Sequence, residues 1–137
     1  MVRHVWTVIC TTIITDRETN ATSYINTIEA AGVSAFPTLL PPLSIGTNWR
    51  KDSDDLALLK IRVKFESPDG SISTVMQVDD VEINRRRHRL NIVCGDIEVR
   101  EPGVHFFIVQ MKQRDRWETA CRIPLDVIQA EIQDLST

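Results

Sequence analysis

The chain has 137 residues, a formal net charge of −3, a hydrophobic fraction of 42% and a charged fraction of 26%. This length suits a single domain, residues 1–137, which can bury a core without disulfides or metals. No apolar run approaches the length of about 20 residues that a membrane-spanning helix needs, and the net charge gives no overall attraction to nucleic acid or to an anionic membrane. The chain begins without the pattern of a secretory signal, so we expect a cytoplasmic protein without a membrane partner.

Strands are predicted through most of the first half of the chain. β-Branched residues mixed with threonines favour a long strand over residues 3–15. Residues 22–30 can run back as a second strand, although residues 25–31 are also compatible with a helix. Prolines make residues 32–42 a connection or an edge crossing, because proline cannot donate to a sheet ladder. Residues 43–51 alternate again and are predicted to form a strand.

The clearest strand covers residues 56–66, where apolar and charged side chains alternate. The predicted buried face holds Leu59, Ile61, Val63 and Phe65, and the predicted wet face holds Lys60, Arg62, Lys64 and Glu66. The Ser-Pro-Asp-Gly sequence at 67–70 has the residues of a tight turn, and residues 71–81 are expected to return as a strand. Residues 90–99 are predicted to form one or two strands, interrupted at residues 95–96.

Residues 104–125 are predicted to form a β-hairpin that turns at the polar run 112–116. Both sides of its first arm are apolar, which favours a central strand. Asp126 can then cap a short helix over residues 126–135, with Val127, Ile128, Ile132 and Leu135 as its apolar stripe. We therefore expect an all-β protein, an antiparallel β-sandwich of about eight strands with a short C-terminal helix, and a closed barrel is the alternative.

The most conspicuous polar feature is the basic run at residues 85–89. The candidate anion-binding residues are Arg85, Arg86, Arg87 and Arg89, because guanidinium groups pair with phosphates and carboxylates. The alternative interpretation is a solvated strand end balanced by the acidic residues at 79, 80 and 82. We favour that alternative over a nucleic-acid contact, since the run contains no aromatic residue on which a base would stack.

Carboxylates gather in several predicted turns, and oxygen ligands are what a hard cation such as Ca²⁺ requires. The candidate metal ligands are Asp52, Asp54, Asp55, Asp79 and Asp80. Asp69 falls in a turn at the opposite end of the predicted strands, so it is not expected to bind a metal together with these residues. Ordinary solvated turns are therefore the alternative interpretation.

The sequence contains no pattern that predicts catalysis or a cofactor. It lacks the serine elbow, the glycine-rich phosphate loop and the zinc-binding helix motif. The histidines are His4, His88 and His105. The cysteines, Cys10, Cys94 and Cys121, are expected to be buried free thiols, and the tryptophans, Trp6, Trp49 and Trp117, are expected in the core unless one marks a partner surface. We therefore expect a protein that is not an enzyme.

Several segments together resemble a known family. A Val-Trp-Thr-Val-Ile-Cys strand is followed by a polar turn and Tyr-Ile-Asn-Thr-Ile-Glu, then by Ser-Pro-Asp-Gly and Glu-Pro-Gly-Val-His-Phe-Phe, and finally by Arg-Ile-Pro-Leu-Asp-Val. This order resembles a family of small uncharacterised bacterial β-sandwich proteins, which is catalogued as a domain of unknown function. The resemblance covers most of the chain and implies a sandwich fold, and it carries over no catalytic residue.

These observations predict a non-enzymatic protein-interaction or assembly module, with a protein partner or a homo-oligomer. Open sheet edges and an amphipathic terminal helix can both be covered by a second chain. One alternative is a calcium- or carbohydrate-binding sandwich domain that uses loop carboxylates, and another is a nucleic-acid contact through residues 85–89. A hydrolase would instead need two converging acids in a deep pocket.

Overall fold

The computed structural model describes residues 1–53 and 55–130, and within these residues the chain forms eleven β-strands and no helix. The strands are β1 (Val2–Thr15), β2 (Thr22–Thr27), β3 (Ala30–Val33), β4 (Thr38–Leu39), β5 (Leu43–Lys51), β6 (Ala57–Glu66), β7 (Ile72–Ile83), β8 (Arg87–Cys94), β9 (Glu98–Val99), β10 (Gly103–Gln113) and β11 (Arg116–Gln129). The predicted all-β class is confirmed.

The strands form two larger sheets and one small pair. The four-stranded sheet has the order β2-β1-β5-β8, the five-stranded sheet has the order β3-β11-β10-β6-β7, and β4 pairs with β9. Neighbours are antiparallel except β3 and β11, which run parallel. The first arm of the predicted hairpin is β10, and its place between β6 and β11 confirms the expectation of a central strand.

The strand count differs from the expected eight because short strands form where the sequence predicted a connection or an interruption. Strand β4 and the second half of β3 lie in the proline-containing connection, and β9 is split from β8 by residues 95–97. The alternative of a helix over residues 25–31 is wrong, since these residues belong largely to β2 and β3. Backbone pairing with β1 and β11 decides this segment, and such tertiary pairing overrides a weak local preference.

Buried side chains from both larger sheets form one hydrophobic core. The four residues of β6 that the alternation places on the buried face are each at most 2% exposed: Leu59, Ile61, Val63 and Phe65. Trp49 of β5 and Phe107 and Val109 of β10 are fully buried in the same cluster. The side chains of β6 and β10 that alternate with this core necessarily lie on the other face of the five-stranded sheet.

The helix predicted over residues 126–135 is wrong where the chain is described, because residues 126–129 continue β11. Leu125 and Val127 are buried while Asp126 and Ile128 are exposed, which is the two-residue period of a strand. Residues 126–129 pair with β3, and residues 126–127 also pair with β10. This pairing gives more stabilisation than an isolated short helix can supply. The remainder of the predicted helix, residues 131–135, lies outside the described residues.

Polar contacts join the two larger sheets at one end. Lys51 of β5 is only 5% exposed, and its Nζ donates to the carbonyl of Ile83 on β7 (2.6 Å) and to the carbonyl of Asp55. The amide of Gln113 on β10 accepts from the backbone N–H of Val2 (3.2 Å) and donates to its carbonyl (3.0 Å). These bonds satisfy groups that would otherwise be costly to bury.

A close approach on the four-stranded sheet requires a glycine. The ring of Tyr24 lies over Gly46, so that a Cβ at Gly46 would be only 2.4 Å from the ring carbon Cε1. The same ring meets Trp6 edge to face, with centroids 5.2 Å apart. Gly46 thus leaves the space in which the Tyr24–Trp6 pair packs.

We expect Gly46→Ala to lower the free energy of unfolding by about 1–3 kcal/mol, because the added methyl group displaces the Tyr24 ring. Gly95→Ala is the matched control, since no atom lies within 4 Å of a Cβ at that position. Urea unfolding of both variants measures the difference, and the control should stay within about 0.5 kcal/mol of the parent. Equal stability of Gly46→Ala and the parent would contradict this packing.

Candidate anion-binding surface

The predicted basic run lies where β7 turns into β8. Strand β7 ends at Ile83 and β8 begins at Arg87, and the turn is tied to β5 by a hydrogen bond from the backbone N–H of Lys51 to the carbonyl of Arg86 (3.0 Å). In the described part of the chain, β8 pairs only with β5 and is therefore an edge of the four-stranded sheet. The run is thus presented on an accessible sheet edge.

The register of three strands places arginines side by side. Arg3 of β1 is opposite Arg50 of β5, and Arg50 is in turn opposite Arg87 of β8. We call these three residues the arginine row. All three are exposed, and Arg3 alone has an ion pair within the described residues, with Asp52 at 3.3 Å. Like charges on opposite residues are destabilising, so this row is a natural place for an anion to bind.

An open cleft of about 800 Å³ adjoins this row at the β8 edge. It is lined by Asn20, Asn48, Asn84, Arg85, Arg87, His88 and Arg89. Arg89 is fixed there, because its Nη2 donates to the backbone carbonyl of Asn20 at 3.0 Å. None of the described residues lining the cleft is a carboxylate, whereas amide and guanidinium groups can all donate hydrogen bonds to an anion.

Burial changes the titration of two groups near the cleft. Desolvation lowers the pKa of His88 below its usual value, so the imidazole is neutral at pH 7. Desolvation raises the pKa of Tyr24, and the positive charge of Arg89 opposes this rise. At neutral pH the charge of the cleft therefore comes from its arginines.

The structure brings together part of the predicted anion-binding set and adds residues to it. Arg85, Arg87 and Arg89 line the cleft, and Arg86 is exposed in the same turn but does not line it. Sequence reasoning missed the contributions of Arg3, Arg50, Asn20, Asn48 and Asn84. Arg3, Arg50 and Asn48 join the site through the β1–β5–β8 register, which leaves no local signal in the sequence. Asn20 lies between β1 and β2, and Asn84 directly precedes the basic run between β7 and β8.

The predicted metal ligands have separate partners. Asp52 pairs with Arg3, and Asp79 accepts a hydrogen bond from the side-chain amide of Gln77 (3.0 Å). Asp80 has a φ of 56°, at a place where the β6–β7 register shifts. Asp55 is exposed, and Asp54 lies outside the described residues. Within residues 1–53 and 55–130, no three His, Cys, Asp or Glu side chains are placed to hold a metal ion.

The thiols and imidazoles are dispersed. Burial raises the pKa of Cys10 and Cys121, and raises that of Cys94 to about 11, so these thiols stay protonated at neutral pH. His4 bonds to the hydroxyl of Thr7 (2.6 Å), and the fully buried His105 stacks on Phe65. A cysteine thiol that stays protonated is not activated as a nucleophile.

Comparisons with known proteins show a likeness of fold to solved structures. No protein-family model matches the chain, and neither does any curated protein sequence. Among solved structures, a β-glucosidase from Listeria innocua in complex with gluconolactone is similar, with a TM-score of 0.52 and 9% sequence identity. The match covers 96% of this chain but only 16% of the β-glucosidase chain. At this identity the likeness concerns the fold alone. No helix in the described part of the chain is long and apolar enough to cross a membrane.

The lowered pKa of His88 predicts how pH affects anion binding at the cleft. Protonation below pH 6.5 adds a positive charge beside Arg85, Arg87 and Arg89. Affinity for sulfate, which stays divalent, should therefore rise about two- to fivefold once the pH is low enough to protonate His88. Titrations followed by NMR at several pH values measure this effect. His88→Gln should have a flat profile, and an equal rise in that variant would contradict a role for His88.

Proposed function

We propose that the protein is a non-enzymatic interaction module that binds an anionic group of a partner protein through the arginine row and the adjoining cleft. The observation that carries this proposal is the meeting of Arg3, Arg50 and Arg87 across three strands, beside a cleft lined by further cations and amides. Guanidinium groups form bidentate, charge-assisted bonds with carboxylates and phosphates, and such pairs give both affinity and orientation.

The exposed side chains of two arginines that line the cleft support the same proposal. The side chains of Arg85 and Arg87 make no hydrogen bond or ion pair to another described residue. A cation kept for internal stability would be expected to have a carboxylate beside it. Exposed and unpaired guanidinium groups can instead bind an incoming anion without first breaking an internal contact.

The architecture that we propose is a β-sandwich of the two larger sheets. It is supported by the single core to which both sheets contribute and by the fold likeness described above. Among the strands of the described residues, β7, of 12 residues, pairs only with β6 and forms an edge of its sheet. A second copy of the chain can pair at such an edge, so a homo-oligomer is part of the proposal. The three free thiols fit a reducing, cytoplasmic location.

The test is an NMR titration of the full chain with sodium sulfate, with sodium chloride at equal ionic strength as the reference. Chemical shift changes should concentrate at residues 48–50 and 84–91. Arg85→Gln combined with Arg87→Gln should weaken sulfate binding by at least about fivefold, because the variant loses the contacts of two guanidinium groups with the anion.

The matched control is Arg114→Gln combined with Arg116→Gln, which removes the same charge from the exposed β10–β11 turn. This control should bind sulfate like the parent. Equal loss in both double variants would show a general charge effect and overturn the proposed site. Light scattering on the same samples separates self-association from binding to a different protein.

A further inference from the structure

A second basic surface lies on the outer face of the five-stranded sheet, on the side away from the core. The register places Lys112 of β10 opposite Lys60 of β6, Gln110 opposite Arg62, and Ile108 opposite Lys64. On the other side of β10, Lys112 is opposite Trp117 and Ile108 is opposite Arg122. We call the five cations the basic sheet face: Lys60, Arg62, Lys64, Lys112 and Arg122.

Local contacts hold part of this face in place. The guanidinium of Arg62 stacks on the Trp117 ring at 3.8 Å from its centroid, and its Nε donates to Oε1 of Gln110 at 2.7 Å. Gln110 in turn donates to the hydroxyl of Thr119 at 3.1 Å. The terminal nitrogens of Arg62 remain available, so its charge is presented in a fixed position at low entropic cost.

The two lysines of β6 differ from Arg62, because their side chains are not held by contacts within the sheet. Lys60 and Lys112 face each other across β6 and β10, a like-charge arrangement that disfavours the sheet. An open depression of about 200 Å³ lies beside them and is bordered by Asp80 and Asp115. The side chains of Lys60 and Lys64 make no hydrogen bond or ion pair within the described residues.

The opposite end of the face is apolar and carries negative charge. Arg122 lies over the Phe106 ring, 3.6 Å from its centroid, and forms an ion pair with Glu66. Next to these residues, Ile72 is 51% exposed and Val104 is 44% exposed. The register places Ile72 opposite Glu66, so this apolar pair belongs to the same outer face.

We propose that the basic sheet face binds an extended acidic segment of a partner protein, with its carboxylates over Lys60, Arg62, Lys64 and Lys112 and with apolar side chains over Ile72 and Val104. Cations at alternate positions of β6 are about 6.7 Å apart, which is also the spacing of alternate side chains in an extended peptide. Apolar contacts at one end favour a protein ligand over a phosphate chain. The net charge of −3 repels any long polyanion beyond the face, whereas the carboxylates of a short acidic segment can all lie over the cations.

This inference goes beyond the arginine row and cleft, which lie on the four-stranded sheet. The probe is a fluorescein-labelled peptide, Glu-Ser-Glu-Ser-Glu-Gly-Leu-Ser-Leu, followed by fluorescence anisotropy with the full chain. We expect a dissociation constant below about 100 μM at low salt, weakening as salt is added. The same peptide with Gln in place of Glu should bind at least about tenfold more weakly.

Two variants locate the binding. Lys60→Gln combined with Lys112→Gln should weaken the peptide at least about fivefold, and Ile72→Ser combined with Val104→Ser should weaken it by a similar factor. All four side chains are exposed or half-buried, so both variants should fold. The controls are Arg85→Gln with Arg87→Gln for charge, which lie on the other sheet's cleft, and Val93→Ser, which is 66% exposed on β8, for apolar area.

The outcomes separate this inference from the proposed function. Arg85→Gln with Arg87→Gln should leave peptide binding unchanged, so the two proposed binding sites are tested independently. The inference is overturned if the peptide does not bind, if the control variants weaken it as much as the test variants, or if twelve-residue oligodeoxythymidine binds more tightly than the peptide. Parent-like binding by both test variants would also overturn it.

Discussion

The register of β6, β10 and β11 is the constraint on which the rest of the structure depends. The buried side chains Phe65, Phe107 and Val109 fix this register, because a shift of one residue would move every one of them to the solvent side. Once the buried residues have fixed the register, the same register determines which residues are neighbours on the outer face. Lys112 must then lie opposite Lys60, and Arg62 must lie beside Gln110, whatever the consequence for stability.

The two larger sheets repeat one pattern of charge. Cations occupy outer positions on several strands, in the arginine row of one sheet and the basic sheet face of the other. Many carboxylates, in contrast, lie in turns or beside bulges, among them Asp52, Asp69 and Asp80. A chain with a net charge of −3 thereby presents two basic surfaces, and each surface attracts an acidic group only locally.

Local patterns in the sequence predicted the strands and the pairing of strands adjacent in the chain, but not the pairing of strands distant in the sequence. The alternation in β6 and the apolar run of β10 were sufficient, because burial of one face or two leaves a direct trace in the residue order. Residues 126–129 were misassigned, since so short a segment fits a helical stripe as well as an alternating strand and only pairing with β3 decides between them. For the candidate site, the run at 85–89 was visible, but Arg3 and Arg50 join it through pairings between residues more than 35 positions apart.

The most direct test of this account is a double-mutant cycle on Lys60 and Lys112, with the free energy of unfolding measured in urea at low and high salt. Each lysine is changed to Gln alone and then together, so that effects on Trp117 and Asp80 cancel. Two ammonium groups forced into opposite positions by the core predict a repulsive coupling of about 0.2–1 kcal/mol at low salt, which fades at high salt. An attractive coupling, or none at low salt, would contradict the register and with it the basic sheet face.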